Sequence, residues 1–353
     1  MHTTIRVHTA AKSGSSILMI YTGGTLGMAY DAGGQLKPFD FGQIMENLPE
    51  IDRFDFALTV IAFEQPIDSS NVTPAHWIQW AQIIAENYDD YDGFVILHGT
   101  DTMAYSASAM SFLLENLSKP VIFTGAQLPI GSIRTDAREN LVTALEIASA
   151  KYAVGHPVVS EVCIYFHSRL LRGNRAKKVE STQFDAFYSE NYPPLAEAGA
   201  TIEYRPALMQ PFGAHRQLRV QDRMDNRVAV LKLFPGISQP VVENILQTAG
   251  LQAVVLETYG SGNAPTDGWF VQSLTGFIER GATVLNVSQC MGGRVVQGRY
   301  ATSRQLLDAG VLSGSDITTE AAVTKLMYLL AKDLPPEEFR RQLVLPIRGE
   351  MTV

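Results

Sequence analysis

Short apolar runs alternate along the chain with longer segments in which apolar residues recur at helical spacing. The runs are apolar at nearly every position and short, which is typical of strands covered on both faces. They cover residues 17–21, 58–63, 94–97, 121–123, 163–166, 228–234, 253–256 and 283–287. One helix is predicted to start at Pro74 with Thr73 as its N-cap. Others are predicted over residues 104–117, 136–150, 239–249, 269–280 and 320–330.

This alternation of strands and helices predicts an α/β fold with a mostly parallel sheet. Residues 204–226 are polar, contain two prolines and show no clean period, so they predict a domain boundary. We therefore expect two α/β domains, a larger N-terminal one and a smaller, parallel C-terminal one. The predicted limits are a flexible tail over 1–14, the N-terminal domain over 15–205, a linker over 206–225 and the C-terminal domain over 226–353.

Composition and charge narrow the possible partners. Hydrophobic residues make up 46% and charged residues 18%, as in an ordinary globular protein. The net charge of −8 argues against nucleic acid as the main partner, because phosphate binding needs a basic surface. The first residues lack the apolar core of a secretory signal, and no apolar stretch is long enough to span a membrane. These features predict a cytoplasmic protein.

Three polar clusters follow predicted strands, where ligands bind in open α/β sheets. They are YTGGTLGM at 21–28, HGTDT at 98–102 and TGAQ at 124–127. The first lacks both common nucleotide-binding glycine patterns, but its small residues present hydroxyls and backbone N–H groups that suit an oxyanion. Taken alone, Thr25 is equally well explained as a turn residue, Thr100–Asp101 as a helix cap, and His98 as a structural histidine.

Two further polar segments follow strands, PIDSSN at 66–71 and LRGNRAKK at 171–178. A charge run is usually a solvated face, yet a partly desolvated lysine near a Thr-Asp pair can accept a proton. No segment has the spacing of a metal site such as H-E-x-x-H, so we expect neither a catalytic metal nor a cofactor.

The ordered motifs TGGTLGM, PIDSSN, DGFVILHGTDTMAYSASAMSF, KPVIFTGAQLP, RGNRAKK, YGSGNAP and SQCMGGRV span nearly the whole chain. Together they resemble the type I, cytoplasmic branch of the bacterial-type L-asparaginases. The resemblance implies two domains, with the active site in the N-terminal one. It also implies a homodimer or homotetramer in which a neighbouring subunit completes the site.

The resemblance also assigns roles to individual residues. The nucleophile falls on Thr25, and the second threonine and the aspartate fall on Thr100 and Asp101. The catalytic lysine falls on Lys178. The substrate-binding segment falls on Asp68, Ser69 and Ser70, and the residue contributed by the neighbouring subunit falls on Asn263.

These assignments describe a coherent amide hydrolysis. Asp101 can pair with the α-ammonium of asparagine, and Ser69 or Ser70 can bind the α-carboxylate. Thr25 then attacks the side-chain carbonyl, ammonia leaves, and water hydrolyses the resulting aspartyl ester. A threonine hydroxyl needs a base, and Thr100 with Lys178 is one candidate relay.

The chain departs from its relatives at two places. A tyrosine assists catalysis in the mobile loop of many relatives. Here Tyr30 stands at a shifted position, so it is either that assistant or a plain loop aromatic. Some type I enzymes are activated by asparagine at a second site that uses a threonine and an arginine. Lys177 and Glu257 occupy these positions, so we expect no activation through that site.

Two alternatives keep the fold and change the function. One is the asparaginase-like subunit of a tRNA amidotransferase. Such subunits carry an extra N-terminal domain, whereas the nucleophile loop lies close to the start of this sequence. The other is a non-catalytic amino-acid-binding module, which the fold alone does not exclude.

Overall fold

The computed structural model describes residues 2–7, 14–30, 36–38, 53–213, 217–298 and 301–353. Only the backbone is described for 2–7, 28–30, 36–38 and 301–302. The chain divides into two compact units, Met1–Asp222 and Arg223–Val353. The division falls within residues 206–225, the segment that the sequence predicts as a linker.

The first unit is built on a nine-stranded sheet with five parallel strands at its centre. In chain order its strands are β1 (His2–Val7), β2 (Ser15–Tyr21), β5 (Phe56–Phe63), β6 (Gly93–Leu97), β8 (Val121–Thr124), β9 (Val162–Phe166), β10 (Arg169–Arg172), β13 (Ala196–Ala198) and β14 (Ile202–Tyr204). Their order across the sheet is β1-β5-β2-β6-β8-β9-β10-β13-β14. The five central strands in this order, β5, β2, β6, β8 and β9, are parallel to one another. The strands at both edges pair with their neighbours in antiparallel orientation.

Short ribbons and three helices complete this unit. The ribbons pair β3 (Met28–Tyr30) with β4 (Leu36–Pro38), β7 (Leu114–Glu115) with β15 (Arg219–Val220), and β11 (Lys177–Lys178) with β12 (Phe187–Tyr188). The helices are α1 (Pro74–Glu86), α2 (Met103–Leu113) and α3 (Ala137–Ser149). Helix α2 is buried along almost its whole length, which its many alanines and serines permit.

The chain order reverses around β2, because β5 lies on one side of it and β6 on the other. Ligands bind in the crevice at such a reversal, beyond the carboxyl ends of the strands. The loop after β2 carries Thr25, and the segment after β6 carries Thr100 and Asp101. The topology therefore places both segments at the same crevice.

The second unit contains a four-stranded parallel sheet in the order β16-β17-β18-β19. Its strands are β16 (Val228–Lys232), β17 (Ala253–Thr258), β18 (Thr283–Ser288) and β19 (Leu312–Ser313). Its helices are α4 (Gln239–Leu246), α5 (Gly268–Glu279), α6 (Ala301–Asp308), α7 (Thr319–Leu330) and α8 (Pro336–Val344). The two-domain α/β fold expected from the sequence is confirmed.

Two of the differences from the sequence-based expectation arise from strand pairing. Residues His2–Val7, predicted as part of a flexible tail, form strand β1, which covers the edge of β5 by antiparallel pairing. The helix predicted over 104–117 ends at Leu113, because Leu114 and Glu115 pair with β15 and Asn116 adopts a left-handed φ of 62°. Within the described residues, no helix is both long and apolar enough to cross a membrane.

Candidate active site

The loop that carries Thr25 is fastened to the segments beside it. The amide and hydroxyl of Thr22 both donate to the carbonyl of Leu97, at 3.1 and 2.7 Å. The carbonyl of Thr22 accepts a bond of 2.7 Å from the amide of Ile67. Thr25 itself starts a 3-10 turn and is half-buried. The end of β2 is thereby tied both to the end of β6 and to the PIDSSN segment.

Gly24 is the point at which this loop touches the segment after β6. Its φ is 98°, a left-handed value that favours glycine. A Cβ on Gly24 would lie only 2.6 Å from the amide nitrogen of Gly99. Thr25 is therefore one residue away from a backbone contact that no larger side chain permits.

The segment 68–70 forms a capped turn beside the same contact. The Asp68 carboxylate accepts bonds from the Ser70 amide at 2.9 Å and the Ser70 hydroxyl at 2.8 Å. These bonds, the backbone one first, lower the pKa of Asp68. Ser69 is buried, and its carbonyl accepts a bond of 2.7 Å from the Thr102 hydroxyl. The turn is thus rigidly held against the start of α2.

Lys178 joins the predicted Thr-Asp pair. Its Nζ lies 2.9 Å from Thr100 Oγ1 and 2.6 Å from Asp101 Oδ1. The lysine side chain is only 16% exposed, whereas that of Asp101 is 67% exposed. Lys178 is held in place by the pairing of β11 with β12. The Lys178 amine is therefore enclosed next to a buried hydroxyl, with a carboxylate facing solvent.

Two further residues support Thr100: Gln127, which lies in the TGAQ cluster but received no role from the sequence, and Asp136, which lies in none of the motifs. Thr100 Oγ1 lies 3.3 Å from Gln127 Oε1. The Asp136 carboxylate accepts the backbone amides of Gln127 and Leu128 at 2.9 to 3.1 Å, which fixes the turn that carries Gln127. The position of Gln127 at a strand end was a usable signal, whereas Asp136 follows the TGAQ motif but belongs to no polar cluster that the sequence marks.

His98 lies directly behind the Thr-Asp pair and is buried. Its Nδ1 is 2.6 Å from the carbonyl oxygen of Gly99, and its Nε2 is 2.8 Å from Ser106 Oγ. Burial lowers the pKa of His98 to about 4, although the bond to Gly99 opposes this shift. The imidazole is therefore neutral at physiological pH.

The predicted site residues thus fall into groups. Hydrogen bonds join Thr100, Asp101 and Lys178, while the loops bearing Thr25 and Ser69 both contact the backbone of Gly99. Asp68 and Ser70 are bonded to each other.

Two of the predicted residues remain, Asn263 and Tyr30. Asn263 lies in the second unit, where its backbone pairs with Tyr259. Only the backbone of Tyr30 is described, so its proposed part in catalysis lies outside the described residues. Among the described side chains, no group of three or more His, Cys, Asp or Glu is arranged to hold a metal ion.

Comparisons with known proteins place these features in a wider group. The family model described as "Asparaginase, N-terminal" matches residues 16–210. The model described as "Glutaminase/Asparaginase C-terminal domain" matches residues 227–343. Both matches together cover most of the chain.

Individual relatives match over nearly the full length. L-asparaginase 1 of Escherichia coli is 44% identical over 341 residues, which cover 96% of this chain and 98% of the relative. The crystal structure of L-asparaginase I from Vibrio cholerae has a TM-score of 0.87 and 40% identity, covering 97% of this chain and 100% of that one. One of the glutamyl-tRNA(Gln) amidotransferase subunits of Pyrococcus abyssi is 33% identical, covering 95% of this chain and 76% of the relative.

Proposed function

The chain belongs to the asparaginase family, and on that premise we propose that it hydrolyses L-asparagine to L-aspartate and ammonia. The observation that carries the proposal is the bonding of Lys178 Nζ to both Thr100 and Asp101, at the sheet crevice next to the Thr25 loop. No cofactor enters this reaction scheme, and the catalytic groups are all side chains and backbone amides of the protein.

Substrate binding uses the two charged ends of asparagine. The exposed Asp101 carboxylate pairs with the α-ammonium. The turn 68–70 holds the α-carboxylate through the Ser69 hydroxyl, or through the Ser70 hydroxyl once this turns away from Asp68. The rigid capping of that turn by Asp68 supports this role, because a fixed turn positions its donors before the substrate arrives. The substrate amide then points toward Thr25.

Thr25 is the nucleophile of the proposed reaction. Its Oγ1 attacks the side-chain carbonyl carbon, and its proton passes to Thr100, which gives its own proton to Lys178 in the neutral amine form. Lys178 returns the proton through Thr100 to the leaving nitrogen, which departs as ammonia. The contact between Lys178 Nζ and Thr100 Oγ1 at 2.9 Å supports this relay.

Water completes the cycle. It attacks the aspartyl ester on Thr25 and gives a proton to the relay, which returns it to Thr25 Oγ1 as aspartate leaves. Backbone amides of the glycine-rich loop stabilise the oxyanion formed in both steps. Each step thus uses the same groups, and the enzyme returns to its starting state.

Assembly, location and regulation follow from the type I resemblance. We propose a cytoplasmic homodimer or homotetramer, with Asn263 of a neighbouring subunit completing the site and Tyr30 assisting from its loop. Glu257 is buried, with Oε1 2.5 Å from the Thr319 hydroxyl and Oε2 3.5 Å from Lys232 Nζ. A buried carboxylate at this position supports the absence of activation by a second asparagine, so we expect a hyperbolic dependence of rate on asparagine concentration.

The test of the proposed function is ammonia release by the purified wild type and by Thr25→Ala. The wild type should release ammonia from asparagine, and Thr25→Ala should lose this activity without a change in melting temperature. Thr143→Ala, on helix α3, is the matched control and should behave as the wild type. Near-normal turnover by Thr25→Ala would remove the nucleophile assignment.

The same preparation separates the two alternatives. Saturable binding of tRNA in a filter assay would favour the role in a tRNA amidotransferase, to which the 33% identity of the Pyrococcus abyssi protein points. Binding of asparagine without ammonia release would favour the non-catalytic module.

A further inference from the structure

A chain of hydrogen bonds runs through the buried layer behind the proposed site. Trp77 Nε1 donates to Ser106 Oγ at 2.9 Å, and Ser106 Oγ lies 2.8 Å from His98 Nε2. His98 Nδ1 lies 2.6 Å from the carbonyl oxygen of Gly99. The three side chains are at most 6% exposed. The chain therefore links helix α1, through α2, to the backbone of the segment after β6.

The directions of these bonds follow from the chemistry of the end groups. A carbonyl oxygen only accepts, so His98 Nδ1 carries the proton that bonds Gly99. A neutral imidazole has one N–H, so Nε2 is an acceptor and receives the Ser106 hydroxyl proton. Ser106 Oγ in turn accepts from Trp77, whose indole can only donate. Each of the three side chains thus has one defined orientation.

Nothing charged touches the His98 ring among its described contacts. Trp80 meets it edge-on with ring centroids 5.3 Å apart, and Phe123 packs against it at 5.9 Å. Protonation of the ring would place a cation in this buried packing, away from water, which is unfavourable. It would also require Nε2 to become a donor toward Ser106. The bond network and the packing therefore both favour one neutral tautomer.

The segments of the proposed site meet at Gly99, whose carbonyl accepts the last bond of the Trp77–Ser106–His98 hydrogen-bond chain. A Cβ on Gly24 of the Thr25 loop would lie 2.6 Å from the Gly99 amide nitrogen. A Cβ on Gly99 itself would lie 2.7 Å from Ser69 Oγ. Thr100 follows directly in the chain. A rotation of the Gly99 peptide thus moves the nucleophile loop, the substrate-binding turn and the relay relative to one another.

We infer that His98 is a positioning residue, which uses its Nδ1–H to fix the Gly99 carbonyl and thereby the alignment of Thr25, Ser69 and Thr100. It touches neither substrate nor reacting atoms. The inference rests on the proposed asparaginase activity and deepens it, since it names the residue that fixes the relative positions of the reacting groups. Close alignment of this kind is worth much in rate, because a misplacement of about 1 Å can cost about 100-fold.

The test compares two amide variants that differ only in where they place a donor. In His98→Asn the amide nitrogen takes the place of Nδ1 and can still bond the Gly99 carbonyl. In His98→Gln the longer side chain puts its amide near Nε2, toward Ser106. We expect kcat for asparagine to stay within about fivefold of wild type in His98→Asn and to fall about 100-fold in His98→Gln. KM should change by less than about threefold in His98→Asn, and it should rise in His98→Gln, because the released Gly99 also moves the substrate-binding turn at Ser69.

Equal losses of kcat in the two variants at equal melting temperature would overturn the inference. His156→Gln, in the same unit, is the matched control and should leave kcat unchanged. Ser106→Ala serves if His98→Gln fails to fold. It releases the ring at Nε2 but leaves the bond from Nδ1 to Gly99 possible, so kcat should fall by less than the roughly 100-fold loss expected for His98→Gln. An unchanged kcat in Ser106→Ala would count against the inference.

A spectroscopic measurement on the wild-type protein tests the same point without a mutation. In protein labelled with 15N-histidine, the resonance lost in His98→Asn identifies the ring. Its nitrogens should report the Nδ1–H tautomer with no titration between pH 5 and 8. An Nε2–H tautomer, or titration near pH 6.5, would overturn the inference. Failure of the proposed function is distinguishable, because the wild type would then release no ammonia at all.

Discussion

The contact between Gly24 and Gly99 yields the sharpest prediction about this protein. In Gly24→Ala the new methyl group would lie 2.6 Å from Gly99 N, 2.8 Å from Gly99 Cα and 2.9 Å from the carbonyl carbon of His98. Ordinary contact begins at 3.4 Å, so the two backbones must separate by about 0.8 Å. All three neighbouring atoms are backbone, so no side chain can rotate to relieve the clash.

Two costs are expected from this substitution. The left-handed φ of 98° is unfavourable for alanine by about 1–2 kcal/mol. The clash adds about 1–3 kcal/mol of strain unless the loop moves. Movement by about 0.8 Å displaces Thr25, and a shift of that size is expected to lower kcat about 100-fold. We therefore expect a large loss of activity and a modest loss of stability.

The assay is ammonia release at saturating asparagine, with melting temperatures measured in parallel. Gly155→Ala is the matched control: Gly155 has a φ of 90° but nothing within 4 Å of the added methyl group. It carries the same backbone strain without the clash, so it should lose some stability and keep its activity. If Gly24→Ala keeps kcat within threefold of Gly155→Ala, the loop is not aligned by this contact and the reasoning is refuted.

Three further predictions concern charged and titratable groups. Lys178→Met should lower kcat by about 10²–10⁴-fold with little change in melting temperature, because it removes the proton relay. The control is Lys232→Met, which changes an exposed lysine of the second unit. Normal turnover by Lys178→Met would contradict the relay. In the unfolded state His98 has a pKa of about 6.5, whereas burial in the folded state lowers its pKa to about 4. Between these two values, only the unfolded state binds a proton on His98. Stability should therefore fall by about 3 kcal/mol as pH drops through that window, and a His98→Asn variant with the same slope in urea denaturation would exclude this cause. In the second unit, the fully buried Lys325 Nζ lies 2.6 Å from Glu350 Oε1 and bonds the carbonyls of Leu343 and Leu345. Lys325→Met should cost about 3–5 kcal/mol in urea denaturation, and partial recovery in the double variant with Glu350→Gln would show that the unpaired carboxylate is the cause.

Local patterns in the sequence were enough for the elements of the fold. The fully apolar run 17–21 specifies a strand covered on both faces, because only burial on both sides accommodates such a run. The same holds for 94–97 and 253–256. Thr73 followed by Pro74 fixed the start of α1. These features depend on neighbours close in sequence, so they can be read before the chain is folded.

Local patterns could not predict which strands pair at the edges of the sheets. Strand β1 forms because the edge of β5 is available for pairing. Helix α2 ends at Leu113 because the next two residues pair with β15. Both partners lie far away in sequence, at Phe56–Phe63 and Arg219–Val220. Period and propensity carry no information about a partner that only the folded chain brings near.

The proposed site divides in the same way. The sequence alone determined that hydroxyls, a carboxylate and small residues stand at strand ends, and the family motifs singled out Thr25, Thr100, Asp101 and Lys178. Only the tertiary structure decided that Lys178 bonds both members of the Thr-Asp pair across 78 and 77 positions of sequence. It also decided that His98 is a neutral, oriented ring behind Gly99. The physical reason is that residue type is written along the chain, whereas hydrogen-bond partners and the desolvation that sets a pKa arise from packing between distant segments.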